Sequence, residues 1–352
     1  MNVNPIFWKS KRVLITGHTG FKGGWLAIWL QRLGASVIGI ALPPNTTPSL
    51  FELVRGSRSI QSHICDIRDG AALTALINSA QPEVIFHLAA QPLVRASYLE
   101  PLSTFATNIM GTVNVLDSLR GMADARVAVM VTTDKVYRNH ELHLPYREDD
   151  TLGGHDPYSA SKAASEIVIA SYRDAFLKEQ GLAIASARAG NVIGGGDWSD
   201  DRLIPDAVRA WSIGRPLVIR NPQATRPWQH VLEPLAGYIT LAQKLWDQPT
   251  LAGAYNFGPH THEAVTVETV VNLASASFGT GTIDLDNLSD NPHEAGWLSL
   301  EVAKARMVLG VNPKWSLAKS VHRTMDWYKS HYKGVDARSL CEAEISAYEA
   351  FS

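Results

Sequence analysis

The stretch Arg12-Val13-Leu14-Ile15-Thr16-Gly17-His18-Thr19-Gly20-Phe21-Lys22-Gly23 decides the fold. A short apolar run ends in three glycines spaced by three, and an amphipathic stretch follows at Gly24–Leu33. Glycine lets a strand turn sharply into a helix and lets a phosphate approach the backbone. The helix beyond presents unpaired N–H groups and a positive dipole end to an anion. A glycine triplet alone serves equally well as a plain turn. Between a near-terminal strand and a helix it reads as a dinucleotide loop, with Gly17, His18, Thr19, Gly20, Phe21, Lys22 and Gly23 as cofactor contacts.

Outward from this loop the same rhythm repeats. Strands are predicted at Val13–Thr16, Val37–Ala41, Ser62–Cys65, Val84–Leu88, Ala128–Thr133 and Ala183–Ala187, with helices at Gly24–Leu33, Ala71–Ser79, Thr107–Arg120 and Ser159–Gln180. Strands alternating with helices specify an α/β, Rossmann-type, doubly wound parallel sheet. Trp25 and Trp29, one turn apart, should pack the first helix on that sheet. After Ala187 the pattern changes to a Gly194-Gly195-Gly196 loop, a Pro- and Arg-rich stretch, and helices predicted at Leu235–Trp246, Val267–Ser277, Leu298–Leu309, Ser316–His331 and Glu342–Phe351. The expected division is therefore a dinucleotide-binding domain over residues 1–187. A smaller mixed α/β substrate-binding lobe spans 188–352, with some segments returning to the first domain.

The bulk composition narrows the function classes. The 352 residues carry a formal net charge of −2, with 45% hydrophobic and 19% charged residues. That balance argues against nucleic acid or an anionic membrane as partner. No run of about 20 apolar residues suits a membrane span. The amino terminus, Met1 to Lys9, lacks the basic-then-apolar pattern of a signal peptide. Cys65 and Cys341 alone, far apart, fit a reducing cytoplasm. The twelve histidines show no ligand spacing, and His260, His262 and Glu263 read as a solvated loop, so no metal is expected.

Two proton-transfer sets converge on the end of the fifth predicted strand. Tyr158 and Lys162 stand one helical turn apart, so both face one way. A free phenol, with a pKa of roughly 10, is a poor base at neutral pH; a neighbouring ammonium draws that value down. Tyr158 can then take a hydroxyl proton while hydride leaves for nicotinamide, with Thr133 adding a hydroxyl at the strand end. Asp134 and Lys135 follow directly, suited to eliminating water: one acid, one base. The competing reading makes Asp134 a helix or turn cap and Lys135 a solvated charge, and the chemistry modestly favours the catalytic one. Asp66 reads either as an acceptor for an adenine amino group or as part of a turn and cap in Asp66-Ile67-Arg68-Asp69. The second strand ends Ile40-Ala41-Leu42-Pro43, without the acid that grips an adenosine 2′-hydroxyl. NAD is the expected cofactor and NADP stays open, since His18 and Lys22 could each meet phosphate.

Taken together these motifs resemble the extended short-chain dehydrogenase/reductase family, and within it the nucleotide-sugar 4,6-dehydratases. The resemblance covers almost the whole chain. It rests on Gly17-x-x-Gly20-x-x-Gly23, Phe86-His87-Leu88-Ala89-Ala90, Asn108-x-x-Gly111-Thr112, Thr132-Thr133-Asp134-Lys135-Val136-Tyr137 and Tyr158-x-x-x-Lys162. Where most such enzymes carry Glu as the C5 base after the Asp acid, this chain has Lys135. In that, in Arg188 to Trp198 and in Thr225 to Leu235, it is similar to the branch acting on CDP-glucose. The resemblance implies an NAD-dependent hydro-lyase of deoxysugar biosynthesis, of the 3,6-dideoxyhexose, O-antigen and lipopolysaccharide kind. It would oxidise C4, eliminate water across C5 and C6, and return the hydride to C6. It further implies cofactor contacts from Asp66, Ile67, Leu88, Ala89, Ala90, Asn108, Thr132, Tyr158 and Lys162. Substrate contacts would come from Gln91, Thr133, Asn191, Arg202, Leu203 and Arg226. Lys135 then serves as C5 base, as enolate stabiliser, or as neither. Trp228 either stacks on the nucleobase or packs the lobe. Relatives commonly form a homodimer, or a dimer of dimers, through helices equivalent to Thr107–Arg120 and Ser159–Gln180. A 4-epimerase, which needs Tyr and Lys but no Asp/Lys pair, and a non-catalytic dinucleotide-binding scaffold are the competing readings.

Overall fold

In the computed structural model, residues 3–54, 60–285 and 295–351 are described; Met1 and Asn2 of the amino-terminal reading lie outside them. Seven parallel strands make one sheet: β1 (Arg12–Thr16), β2 (Ser36–Ala41), β3 (Gln61–Ile64), β4 (Val84–His87), β5 (Val127–Val131), β6 (Ala183–Ala189) and β7 (Gly253–Phe257). Their spatial order is β7-β6-β5-β4-β1-β2-β3. The order reverses between β1 and β4, where β1 pairs on one side with β2 and on the other with β4. A crevice opens at such a switch point, beyond the carboxyl ends of the strands.

Side-chain alternation sorts the core to the two faces of the sheet. Val13 and Ile15 join one cluster with Trp25, Trp29, Phe86 and Val129. Leu14 joins the other with Ile38, Ile85, Met130 and Leu116. Helix α1 (Phe21–Arg32) buries Trp25 and Trp29 completely, as expected. Their indole N–H groups do more: Trp25 donates to the Gly195 carbonyl at 2.9 Å and Trp29 to Glu349 at 2.9 Å. The first helix is thereby fastened to the second half of the chain.

The other helices that matter to the site are α2 (Gly70–Ala80), α3 (Gly111–Ser118), α4 (Pro157–Tyr172), α5 (Leu203–Ser212), α6 (Leu232–Asp247), α7 (Val267–Phe278), α8 (Leu317–Tyr332) and α9 (Ala337–Ala350). Helix α3 continues a run that starts at Pro101 and passes through a π-helical turn at Ala106–Met110. The smaller lobe combines α5 and α7 with short strand pairs, Leu217–Ile219 beside Ile283–Leu285 and Thr225–Arg226 beside Val265–Thr266.

Three sequence expectations need correction. The predicted helix at Leu298–Leu309 is helical only from 303: Leu300 bridges Tyr146, and Leu298 N–H bonds the Thr225 carbonyl. Apolar spacing there reflects a buried extended segment, whose Leu298 and Leu300 pack on Tyr137 and Tyr146. The last helix begins at Ala337, ahead of the expected Glu342, because Asp336 caps it by accepting from Ser339 N–H. Strand β7 was not foreseen, since Gly253-Ala254-Tyr255-Asn256-Phe257 lacks a continuous apolar run.

One close approach depends on glycine. The His18 ring sits directly over Gly39 of β2, where an added Cβ would fall 2.3 Å from His18 Cγ. Gly39→Ala should therefore lower the unfolding free energy by about 1–3 kcal/mol through overpacking. In urea titrations the loss should shrink in the His18→Ala background, where the clash is gone. Strict additivity would show that the ring and strand do not press on each other.

Candidate active site

The cleft beyond the sheet is lined by the glycine loop, the ends of β2 to β6, and the start of the smaller lobe. Gly17 has φ of +81°, and a Cβ there would meet Ala89 N at 2.7 Å. A Cβ at Gly23 would lie 2.1 Å from the Gly17 carbonyl. Gly20 caps α1 with no side-chain acceptor, which leaves the first-turn N–H groups to a ligand. Gly17, Thr19, Gly20, Phe21, Lys22 and Gly23 all line the cleft. These donors and this close backbone approach fit a dinucleotide pyrophosphate.

His18 does not line the cleft, contrary to expectation. Its Nε2 shares a hydrogen with Ser62 Oγ at 2.7 Å. Burial lowers its pKa to about 4, so it carries no charge for a phosphate at neutral pH. Lys22 does face the cleft. Burial first, then the nearby Arg202 charge, lowers its pKa to about 8, while Asp134 and Asp197 oppose the fall.

Asp66 and Ile67 line the outer cleft. The Asp66 carboxylate accepts from Arg68 N–H at 2.9 Å and pairs with its guanidinium at 2.5 Å. That side-chain bond holds the carboxyl below its usual range. These bonds make a turn at Asp66 while its carboxylate keeps a place on the cleft wall, and the helix cap belongs to Asp69, which accepts from Ala72 N–H at 3.0 Å. Leu88, Ala89 and Ala90 line the cleft; Gln91 and Asn108 do not. Asn108 accepts from Gln91 N–H at 2.8 Å and donates to Ser161 Oγ at 2.9 Å. The Gln91 amide is spent on Leu93 and Thr104. Both residues brace the loop after β4 instead of facing a ligand.

Beyond β5 the five expected catalytic residues come together around the cleft. The Thr133 hydroxyl donates to Asp134 Oδ1 at 3.0 Å and accepts from Lys135 N–H at 3.4 Å. Asp134 is 2% exposed, and burial raises its carboxyl above the usual range against Lys135, Thr133, Arg226 and Lys22. Its Oδ2 has no protein hydrogen-bond partner among the described residues. Gly190 lies alongside, where a Cβ would stand 3.1 Å from that oxygen. A carboxyl biased toward its protonated form, with one oxygen unspent, is equipped to give a proton.

Tyr158 and Lys162 are both buried on α4. Lys162 Nζ donates to the Val131 carbonyl at 3.2 Å. Burial lowers its pKa to about 8, with Glu166 opposing. Tyr158 departs from expectation: burial pushes its phenol up to about 12, and Thr133 and Arg202 are the leading groups that oppose it. Desolvation outweighs both, so the resting residue is a phenol.

Asn191, Arg202, Leu203, Arg226 and Trp228 line the remaining wall. Arg202 is the residue before α5, and Arg226 donates to the Thr225 carbonyl at 2.9 Å. Trp228 is 5% exposed and belongs to the main core while reaching the cleft wall. Sequence reasoning missed Arg95 and Arg220, which meet at Asp201 at 3.6 and 3.2 Å on the cleft rim. Loops brought together only by folding leave no local signal. Asp197 was also missed; it is buried at the cleft wall, in a loop whose Gly195 presses on Trp327. Among the described residues no cluster of three or more His, Cys, Asp or Glu could hold a metal. His260 and His262 simply stack, 5.6 Å between ring centres.

Comparison with known proteins places this geometry in context. Residues 14–324 match the family described as GDP-mannose 4,6 dehydratase. The chain is 46% identical over 352 residues to CDP-glucose 4,6-dehydratase of Salmonella typhimurium, covering 98% of each chain. Among solved structures, a Stenotrophomonas maltophila UDP-glucose-4-epimerase with bound NAD superposes with a TM-score of 0.79 at 21% identity, covering 92% of this chain and 99% of that one. A Bacillus anthracis dTDP-glucose 4,6-dehydratase in complex with NAD gives 0.76 at 20% identity, covering 91% and 97%.

Beneath the cleft, His87 is buried between Thr16 Oγ1 at 2.7 Å and Thr112 Oγ1 at 3.2 Å. Burial lowers its pKa to about 3, well under the 6.5 of an exposed imidazole. A depressed folded-state value means that the unfolded chain takes up the proton first, so stability is lost as pH falls below 6.5. Between pH 6.5 and 5 this single group should cost about 2 kcal/mol. Urea unfolding at both values should show a correspondingly smaller loss for His87→Gln. An identical loss in parent and variant would refute the assignment.

Proposed function

This chain belongs to the GDP-mannose 4,6-dehydratase family, and from that premise we propose that it removes water from CDP-glucose to give CDP-4-dehydro-6-deoxyglucose. The full-length 46% identity to a CDP-glucose 4,6-dehydratase carries the reading. NAD is the cofactor: when bound it accepts hydride from the sugar C4 and gives hydride to C6. The product is a deoxysugar precursor of the 3,6-dideoxyhexose and O-antigen type.

Within that reaction the chain's own groups have distinct tasks. Tyr158, a phenol at rest, must first give its own proton to solvent, a loss that the Lys162 ammonium on the same helix face favours. As phenolate it then takes the C4 hydroxyl proton, with Thr133 beside it at the strand end. Ketone formation acidifies the hydrogen on C5. Asp134, buried and biased toward its protonated form, gives its proton to the departing C6 hydroxyl. Lys135 stands next to that acid on the cleft wall, where most relatives of this resemblance carry the base. As a base it must first be neutral, against a free pKa of roughly 10.4. Lys22, Arg202 and Arg226 bring positive charge to the cleft wall, suited to a pyrophosphate, and guanidinium matches phosphate oxygens in shape. Asn191 and Leu203 complete that wall.

We place the dinucleotide-binding domain at residues 1–187 and the nucleotide-sugar lobe at 188–352, with α6 and β7 returning to pack on or join the sheet. Cys65 and Cys341 are free thiols, which suits the reducing cytoplasm proposed for this enzyme, and no described helix is long and apolar enough to cross a membrane. The run Pro101–Ser118 and α4 carry Leu102 (86% exposed) and Ile167 (61% exposed) on their outer surface. Such side chains favour a homodimer built on these helices, with a dimer of dimers as its extension.

The 4-epimerase alternative keeps the mass of the sugar nucleotide, whereas dehydration loses one water. Incubation with CDP-, dTDP-, UDP- and GDP-linked hexoses should give a product lighter by one water, fastest from CDP-glucose. Conversion without loss of water would favour the epimerase. Tyr158→Phe should abolish turnover while leaving affinity for the sugar nucleotide nearly intact. Asp134→Asn should allow C4 oxidation, seen as reduced cofactor, but slow elimination by about 10²-fold or more. Paired Leu102→Glu and Ile167→Glu substitutions should convert the dimer to monomer in sedimentation; an unchanged assembly would move the interface elsewhere.

A further inference from the structure

Outside the groups assigned above, one buried polar cluster lies against the reaction centre. Glu166 stands four residues after Lys162 on α4, one turn along the same face. One of its oxygens accepts from the Thr132 hydroxyl at the end of β5. The other accepts from Ser186 Oγ at 2.7 Å and pairs with Arg188 at 2.9 Å, both on β6. Arg188 is anchored in turn by the Tyr137 hydroxyl and the Glu148 carbonyl, each at 2.9 Å. Tyr137 donates on to Asn256 of β7 at 2.6 Å. The side chains of Glu166 and Arg188 are each 4% exposed. A charge kept that deep needs partners, and Glu166 uses both oxygens to tie the end of β5, which delivers Thr133 and Asp134, to β6.

We propose that Glu166 is a positioning residue for the dehydration: it clamps the carboxyl end of β5 and supplies the counter-charge that keeps Lys162 an ammonium. The proposal rests on the reaction assigned above. The Thr132 bond fixes the residue immediately before Thr133, so the clamp sets where the Thr133 hydroxyl and the Asp134 carboxyl point. The charge role follows from the surroundings of Lys162. Its charged or titratable neighbours are Lys22 from α1, His87 from β4, Tyr158 on its own helix, and Glu166. Of these, Glu166 is the carboxylate that favours the protonated amine, while Lys22 disfavours it and His87 is neutral. Facing Glu166 are Thr132, Ser186 and Arg188, with Tyr137 and Glu148 behind Arg188. A merely structural ion pair would serve the fold equally well if Lys162 ignored it.

The test separates these roles in the NAD-loaded enzyme by comparing the parent with Glu166→Gln, Glu166→Asp and the pair Glu166→Gln with Arg188→Met. The titration of Lys162 is followed by 13C NMR of labelled lysine, its Cε resonance assigned with Lys162→Arg. Turnover is measured against pH in parallel. Glu166→Gln should lower the Lys162 midpoint by about one unit or more, because an anion has been removed from beside a cation. The basic limb of the turnover profile should move down by the same amount, since activity falls as pH rises through that value. Glu166→Asp keeps the charge but shortens the clamp, so turnover drops while both the midpoint and the limb stay near the parent's. The double variant also removes the stranded Arg188 cation and should still lower the midpoint, by less than Glu166→Gln because the more distant cation has gone with the anion. It keeps the test open if Glu166→Gln folds poorly. Parent-like Lys162 titration in the folded Gln or double variant overturns the proposal, whatever the loss of thermal stability. A parent that fails to release water would sink the dehydratase reading alone, since the NMR midpoint still decides the charge role.

Discussion

Removal of water from the carboxyl end of β5 governs the chemistry of this protein. Burial penalises whichever form of a group carries charge. It raises Asp134 and lowers Lys22 and Lys162, drawing acid and bases together from opposite ends of the scale, and it pushes the Tyr158 phenol further up. Asp134 is thereby biased toward the proton it must donate. Lys22 and Lys162, each at about 8, sit close to neutrality, where a small change in neighbouring charge decides their state. Sites that run acid and base chemistry together commonly hold groups whose values have been pushed in this way.

Keeping that region dry and aligned takes parts of the chain far from it. The Gly194 to Trp198 loop is seated by Trp327 of α8 and by Trp25 of α1, and Tyr328 bonds the carbonyl of Asp197. Strand β7 enters the sheet from the second half and delivers Asn256 to Tyr137 beneath the site. The smaller lobe is therefore no appendage, because its polypeptide completes the sheet that holds the catalytic strand. Loop glycines serve the other wall: Gly17 and Gly23 allow backbone contacts that a Cβ would forbid.

Much of this was legible in order along the chain. Six of the seven strands follow from apolar runs, and the glycine loop, the Thr133-Asp134-Lys135 end and the Tyr158/Lys162 pair all reach one cleft. What escaped depended on contacts distant in sequence. His18 stands in the glycine loop as a phosphate contact would, yet Gly39 leaves a space that its ring fills. Asn108 and Gln91 are polar and near the cofactor loop, but they satisfy each other. The expected fall in the Tyr158 pKa ignored how deeply folding would bury the phenol. Glu166 gave one local hint, its spacing from Lys162, but its partners Ser186 and Arg188 lie on a different strand.

The central claim is that one hydride leaves C4 of the hexose and returns to C6 of the same molecule after water has gone. CDP-glucose carrying deuterium at C4, turned over in a mixture with unlabelled substrate, tests it most directly. The account predicts product with a single deuterium in the C6 methyl group, and only in molecules that began labelled. A methyl group without deuterium, or label returned to C4 with the water retained, would contradict it.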